Sequence, residues 1–257
     1  MKIGIIMQAR SQSRRFPRKI YAPFNNGKHS IQCILEGMKK TNIPHKIILA
    51  MPYEDKEEIE NRIKSGELEN YIDDRFDLFI GNGDQSDLVD RYHKAMRKFS
   101  LDVCVRLTCD CPMHIATANI IDEMLFEYMT LKTNGFMGNN LLVAKAPAPC
   151  GIDVEIFSYD LMCWAKMYAK TPHELEHCVP IMYGPFSQFE IHGFENIRPH
   201  FMVSRRIADF SLDTLGDYEL LKILMDNYDK YQDLNKAIEN ADIGGFDKTS
   251  DSKNFRQ

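Results

Sequence analysis

Short apolar runs separated by amphipathic stretches set the rhythm of this chain. KIGIIMQ, HKIILAM, DLFIG and VCVRLT are brief, apolar and largely β-branched, the pattern of strands buried on both faces. Between them, apolar positions recur at helical spacing. SIQCILEGMKK opens on Ser30, the predicted N-cap, and EDKEEIENRIKSG stops at Gly66. SDLVDRYHKAMRKF places Val89, Tyr92, Met96 and Phe99 on one face. Ile120, Ile121, Met124, Leu125 and Tyr128 repeat that spacing, as do Leu220, Leu221, Leu224, Met225 and Tyr228. This alternation predicts an α/β fold, a mostly parallel mixed sheet with helices on both faces. The rhythm changes around Ala146–Ser158: APAPCG reads as a loop and GIDVEIFS as a strand with one exposed face. No long Gly/Ser/Pro linker interrupts the chain, so one domain over 1–245 is expected, with 246–257 as a frayed polar tail.

Charge changes this picture at one place. The 257 residues carry a net charge of −5, which argues against a general nucleic-acid or membrane binder. Yet MQARSQSRRFPRK sets Arg10, Arg14, Arg15, Arg18 and Lys19 directly after the first strand. In open α/β sheets ligands gather beyond the carboxyl ends of strands, and cations there can bind phosphate oxygens. The segment is not a Walker loop: it has no glycine and no G-x-x-x-x-G-K-[ST]. Composition alone favours a solvated basic loop. The start lacks the h-region of an export signal, and no run of eighteen apolar residues occurs. Seven cysteines, an odd number, suit free thiols in a reducing compartment, so a cytoplasmic location is expected.

The motifs that follow carry more. Gln8, Ala9, Arg10, Ser13, Arg15, Pro17 and Lys19 form Q-A-R-x-x-S-x-R-x-P-x-K. Downstream come GNGDQSDLVDRYHKA (Gly81, Asp90, Arg91, Tyr92) and VRLTCDCP (Arg106, Thr108, Asp110, Cys111, Pro112). PCGIDVEIFS (Gly151, Asp153, Glu155), LEHCVP (Glu176, His177) and DFSLDTLGDYELL (Asp213, Thr214, Asp217) complete the series. In order and spacing these segments resemble the CMP-KDO synthetase-like cytidylyltransferases, particularly their spore-coat polysaccharide branch (acylneuraminate/KDO cytidylyltransferase-like). The resemblance runs from Ile5 to about Met225, roughly four-fifths of the chain.

The resemblance implies a single Rossmann-like nucleotidyltransferase domain and a reaction: transfer of CMP from CTP to an acidic, KDO- or nonulosonic-acid-like sugar, with release of pyrophosphate, for surface glycan synthesis. It implies Lys19, Arg10 and Asp110 as catalytic residues. It places Gln8, Ala9, Arg10, Ser13, Arg15, Lys19, Gly81, Asp90, Arg91 and Thr108 around the nucleotide. Arg106, Asp153, Glu155 and His177 fall on the acceptor side. Asp110 and Asp213, each after a short apolar strand, are the implied Mg²⁺ ligands, since hard carboxylates plus phosphates suit that ion. Taken alone, an Asp after a strand is a turn or cap residue, and Asp90-Arg91 is an exposed helical ion pair. Arg106 needs a partner because an unpaired buried guanidinium is costly. The expected partners are CTP and the sugar, with no nucleic acid or membrane, and a homodimer is left open.

Two motifs point elsewhere. HELEH, His173 to His177, matches the zinc-protease pattern H-E-x-x-H, with Glu195 a distant third ligand. Pro172 and Pro180 crowd any helix that would carry it. CDCPMH offers Cys109, Cys111 and His114, but its C-x-C spacing is not that of a structural zinc site. Gln12, Arg18 and Cys109 also stand where the family has glycine, which puts the loop geometry in question. The alternatives are therefore a related enzyme with another NTP or a non-sugar acceptor, or a degraded nucleotide-sugar-binding protein.

Overall fold

A computed structural model describes residues 1–145, 147–195 and 209–241; the expected tail at 246–257 lies outside them. The apolar runs form parallel strands β1 (Ile3–Gln8), β2 (Lys46–Pro52), β3 (Phe76–Gly81) and β4 (Val103–Thr108), with β5 (Phe136–Gly138), β6 (Glu155–Ser158) and β7 (Ile191–Gly193) beyond. The strand order is β3-β2-β1-β4-β6-β5-β7. Helices α1 (Ser30–Met38), α2 (Lys56–Lys64), α3 (Leu88–Phe99) and α4 (Ala118–Leu131) follow the first four strands in turn. The chain continues through α5 (Tyr159–Tyr168), α6 (Pro172–His177), α7 (Pro180–Tyr183), α8 (Leu215–Tyr231) and α9 (Leu234–Glu239).

Strand alternation sorts the core onto two faces. Ile3, Ile5 and Met7 of β1 and Val103, Val105 and Leu107 of β4 pack against α1 and α4. Ile6 and Cys104, pointing the other way, pack with Val89, Tyr92 and Met96 of α3 and Leu161 and Met162 of α5. A third cluster seats Leu220, Leu221, Leu224 and Met225 of α8 against Cys33, Met113, Ile152 and Phe210. The helices thus cover both faces, as the apolar spacing predicts.

Three expectations need correction. Ser30 is the first residue of α1, not its cap; His29 holds that position in extended conformation, and the Ser30 hydroxyl donates to the Cys109 carbonyl at 2.6 Å. The GIDVEIFS segment has no exposed face in its strand: Glu155–Ser158 is buried throughout. β6 runs antiparallel between β4 and β5, so both of its edges are paired as well. DFSL does not form a strand; Asp209 makes one bridge to Cys150. Instead the Phe210 and Leu212 amides donate to the Cys150 and Asp110 carbonyls, each at 2.7 Å. A peptide with its donors satisfied this way needs no ladder.

Candidate active site

The site grows from the carboxyl end of β1. Residues 11–18 form a loop closed at its neck, where the Arg18 amide donates to the Ser11 carbonyl at 2.9 Å. Asp55, buried before α2, accepts from the Ser11 amide at 2.8 Å and from its hydroxyl. Arg18 adopts φ 58°, in the left-handed region where glycine is at ease. The loop therefore keeps the turn that a glycine would make, and Arg18 is held there by Glu58 at 2.5 Å. Glu58 also binds Arg62, whose guanidinium lies 3.9 Å over the Tyr21 ring.

A 3-10 turn at Lys19–Tyr21 then turns the chain inward and buries Lys19, which is 7% exposed. Its Nζ donates to Asp110 Oδ2 at 2.8 Å and to Asp213 Oδ1 at 2.9 Å. Arg15 reaches the other Asp213 oxygen at 2.9 Å. Asp110 caps the end of β4, and the Leu212–Asp110 backbone bond delivers Asp213 to its side. Burial alone would lower the Lys19 pKa, but the two carboxylates outweigh it and hold the ammonium above its ordinary value. Burial would likewise raise Asp110; Lys19 and the Thr108 hydroxyl keep it below the usual carboxylate range. Two carboxylates converging on one small cation are a donor set that fits Mg²⁺, because the ammonium already stands as a cation between them.

Nearby groups divide into distinct clusters. Thr108 Oγ1 lies 2.9 Å from Cys111 Sγ, and beside it at the end of β1 the buried Gln8 Oε1 has no partner among the described residues. Ala9 is tied to β2 through the Ala50 carbonyl at 3.0 Å. The Ser13 hydroxyl accepts from the Phe16 amide at 3.5 Å, a contact internal to the loop. Arg10 leaves the loop and pairs with Glu176 of α6 at 3.1 Å. Arg14 is exposed.

On α3 the pair Asp90-Arg91 splits. Asp90 is held by Lys94 at 2.7 Å and Lys166 at 2.9 Å, as an ordinary ion-paired residue. Arg91 is 4% exposed and donates to the Gln85 carbonyl at 2.7 Å. A Cβ at Gly81 would meet the Arg91 side chain at 3.4 Å, so the end of β3 lies over the guanidinium.

The acceptor-side candidates form a buried cluster across β4 and β6. Arg106 and Glu155 face each other in register, and their side chains are hydrogen-bonded. Asn140 donates to the second Glu155 oxygen at 2.8 Å. Asp153 accepts from the Gly151 amide at 2.9 Å, and burial together with Glu155 pushes it up to about 6. Gly151 has φ +91°, and a Cβ there would lie 2.6 Å from the Phe210 backbone, so only glycine fits. His177 is exposed at the end of α6, its pKa lowered by partial burial and by His173.

Neither zinc-like motif builds a metal centre. The His173 and His177 rings lie 4.6 Å apart on a six-residue helix, while Glu176 faces Arg10. Among the described residues no group of three or more His, Cys, Asp or Glu is arranged for a metal. Cys109 packs into the α1–α4 core and Cys111 beside Thr108; burial pushes both thiols well above their usual range. A groove of about 670 Å³ beside α2 is lined by Glu54, Glu57, Glu58 and Glu67 against the single cation Arg62, a net negative charge that would repel a triphosphate.

Sequence reasoning missed the struts. Asp55, Glu58 and Asn140 orient the loop and Glu155, yet in sequence they are plain polar residues of helix starts and loops. Only three-dimensional proximity reveals them.

This architecture, a mostly parallel sheet with the site at the β1 and β4 carboxyl ends, is the fold of nucleotidyltransferases. A solved cytidylyltransferase from Leptospira borgpetersenii serovar Hardjo-bovis is 27% identical, with TM-score 0.74 over 93% of this chain and 92% of that one. A CMP:2-keto-3-deoxy-manno-octonic acid synthetase solved with CTP shares the fold at 16% identity, with TM-score 0.63 over 88% of this chain and 99% of that one. An uncharacterized protein of Methanocaldococcus jannaschii is 25% identical over 100% of this chain and 99% of its own length. No family model matches the chain. Among the described residues, no helix is long and apolar enough to cross a membrane.

Proposed function

We propose that the protein is a Mg²⁺-dependent cytidylyltransferase that transfers CMP from CTP to a hydroxyl of an acidic sugar and releases pyrophosphate, a step in surface-glycan precursor synthesis. The observation that carries this reading is the convergence of Lys19, Arg15, Asp110 and Asp213 at the sheet's carboxyl edge. The likeness to the Leptospira cytidylyltransferase supports the choice of CTP.

In this reading the chain solves an electrostatic problem. An oxygen nucleophile must approach a polyanionic α-phosphate, and negative charge must be spread as pyrophosphate departs. Lys19 and Arg15 hold the triphosphate by charge-assisted hydrogen bonds, and Arg10, paired with Glu176, is assigned to it only through the loop it follows. Asp110 and Asp213 hold Mg²⁺, which when bound supplies a positive charge to the phosphoryl oxygens. Gln8 Oε1, buried and unpartnered, offers an acceptor to a nucleotide hydroxyl or amine. Ala9, Ser13, Gly81, Arg91 and Thr108 shape the nucleotide side. Asp90 is assigned there only through its helix, because its carboxylate is already paired.

The acceptor meets Asp153, Glu155, Arg106 and His177. Arg106 and Arg10 supply the positive side that a sugar carboxylate needs, and His177, its pKa lowered, offers a neutral imidazole for hydrogen bonding. The test is a pyrophosphate-release screen of the four NTPs against a panel of acidic sugars with Mg²⁺. CTP with one such sugar should give turnover. Release with another NTP alone would transfer the reading to a related nucleotidyltransferase, and CTP binding without release for any acceptor would favour a binding protein.

A further inference from the structure

We infer that Lys19 is a resident counter-ion which closes the metal position until nucleotide arrives, so that the divalent ion enters with the triphosphate and not before it. This rests on the assignment of Asp110 and Asp213 as metal ligands and adds an order of binding to it.

The geometry fixes the competition. One ammonium donates to Asp110 Oδ2 at 2.8 Å and Asp213 Oδ1 at 2.9 Å, so any ion bridging those oxygens must displace it. Arg15 takes the remaining Asp213 oxygen at 2.9 Å. The four groups are neutral together: two cations, two carboxylates.

Displacing Lys19 in the free protein would strand a charge. Its side chain is 9% exposed, so solvent cannot rehydrate it in place. A triphosphate changes the exchange. Its oxygens receive Lys19 and Arg15 while the metal's two charges replace theirs on the aspartates. Every cation then keeps an anionic partner. Metal and nucleotide therefore favour each other's binding, and linkage makes that coupling reciprocal.

The test uses Mn²⁺ as the probe, without nucleotide, on wild type, Lys19→Met and Lys19→Met/Asp110→Asn. Ion binding is read by electron paramagnetic resonance, and thermal stability with and without Mn²⁺. Lys19→Met should bind Mn²⁺ at least about tenfold more tightly than wild type, within the usual range of coupling between sites. Its melting temperature should fall without the ion and recover with it, while wild type responds little. Adding Asp110→Asn should abolish the gain. Lys19→Gln, which keeps a hydrogen-bonding group between the carboxylates, provides the same comparison if Lys19→Met does not fold. Unchanged Mn²⁺ affinity in the neutral variants overturns the inference. Anomalous scattering from wild-type crystals soaked with Mn²⁺ and CTP separates the two failures. A peak between Asp110 and Asp213 would leave the metal assignment standing without the gate; its absence would remove both.

Discussion

Arg18 and Glu58 lock the neck of the basic loop: the guanidinium donates to the two carboxylate oxygens at 2.5 and 3.1 Å while its backbone holds φ 58°. The side chain thus braces the loop from outside and is spent on α2, not on the triphosphate. Arg18→Ala should lose the exposed pair, worth about 0.2–1 kcal/mol, and keep the backbone strain. Arg18→Gly should recover roughly 1 kcal/mol of that strain and melt at or above the wild-type temperature. CTP affinity by calorimetry should be unchanged within about twofold in both, well below the cost of losing a charge-assisted contact.

The opposite result is expected on the inner side of the loop. Arg15→Ala or Lys19→Ala should weaken CTP binding by about 1.5–3 kcal/mol each, the value of a hydrogen bond to a charged group. Arg14→Ala, which removes an exposed cation, should do much less. Unaltered triphosphate affinity in both inner variants would sink the assignment of the loop.

Asp110→Asn keeps the shape of the side chain and removes its charge. It should lower kcat by at least about a hundredfold, the scale of losing one preorganised electrostatic stabiliser. Asp213→Asn should behave alike, and the double variant should fall far short of additivity if the pair acts as a unit. Two bare carboxylates would repel, and sequence alone therefore predicts unchanged or raised stability in the variant. Lys19 between them reverses the sign. Asp110→Asn should melt lower in the ligand-free protein, by roughly 1–3 kcal/mol for a lost charged partner.

Asp153 gives a pH signature. Its folded pKa is raised to about 6 from an ordinary 3.8, so the native state holds a proton that the unfolded chain has released. The Asp153 contribution to stability should fall as pH rises from about 4 to 6, then level off; buried His114, lowered to about 3, pulls the other way, so the slope is read as wild type minus Asp153→Asn. Asp153→Asn should lose this contribution, which melting curves across the window would show. A slope identical to wild type would place the proton elsewhere.

Metal content checks the histidine motif. Protein purified in metal-free buffers without chelator should carry negligible zinc, and His173→Ala should not change that. Stoichiometric zinc lost in His173→Ala would restore the hydrolase reading.

Much of the sheet was legible because β1, β2, β3 and β4 are apolar on both faces, and such runs have few other ways to be buried. The helix faces followed from spacing for the same reason. β5 and β7, three residues each, carry no periodicity to read. Glu155 misled by alternating with apolar neighbours, as solvent-facing residues do; its true partners, Arg106 and Asn140, satisfy a charge in the interior. Asp110 and Asp213 are 103 residues apart (213 − 110), and only the family resemblance linked them. Backbone bonding from Leu212 to Asp110 accounts for their meeting, and no side-chain pattern encodes it.

The reversal of direction at β6 divides the site by construction. Parallel strands deliver Lys19 and Asp110 through segments that leave the sheet, whereas β6, running the other way, delivers Glu155 at its first residue, from a segment that enters. Asn140 and its neighbours before β6 join the sheet through Glu155, whereas Cys150 and Gly151 hold the Phe210 backbone and with it the segment that carries Asp213. Change in the segment before Cys150 thus reaches Glu155 and Arg106 without passing through the Lys19–Asp110–Asp213 cluster, which separates the two sides of the proposed site.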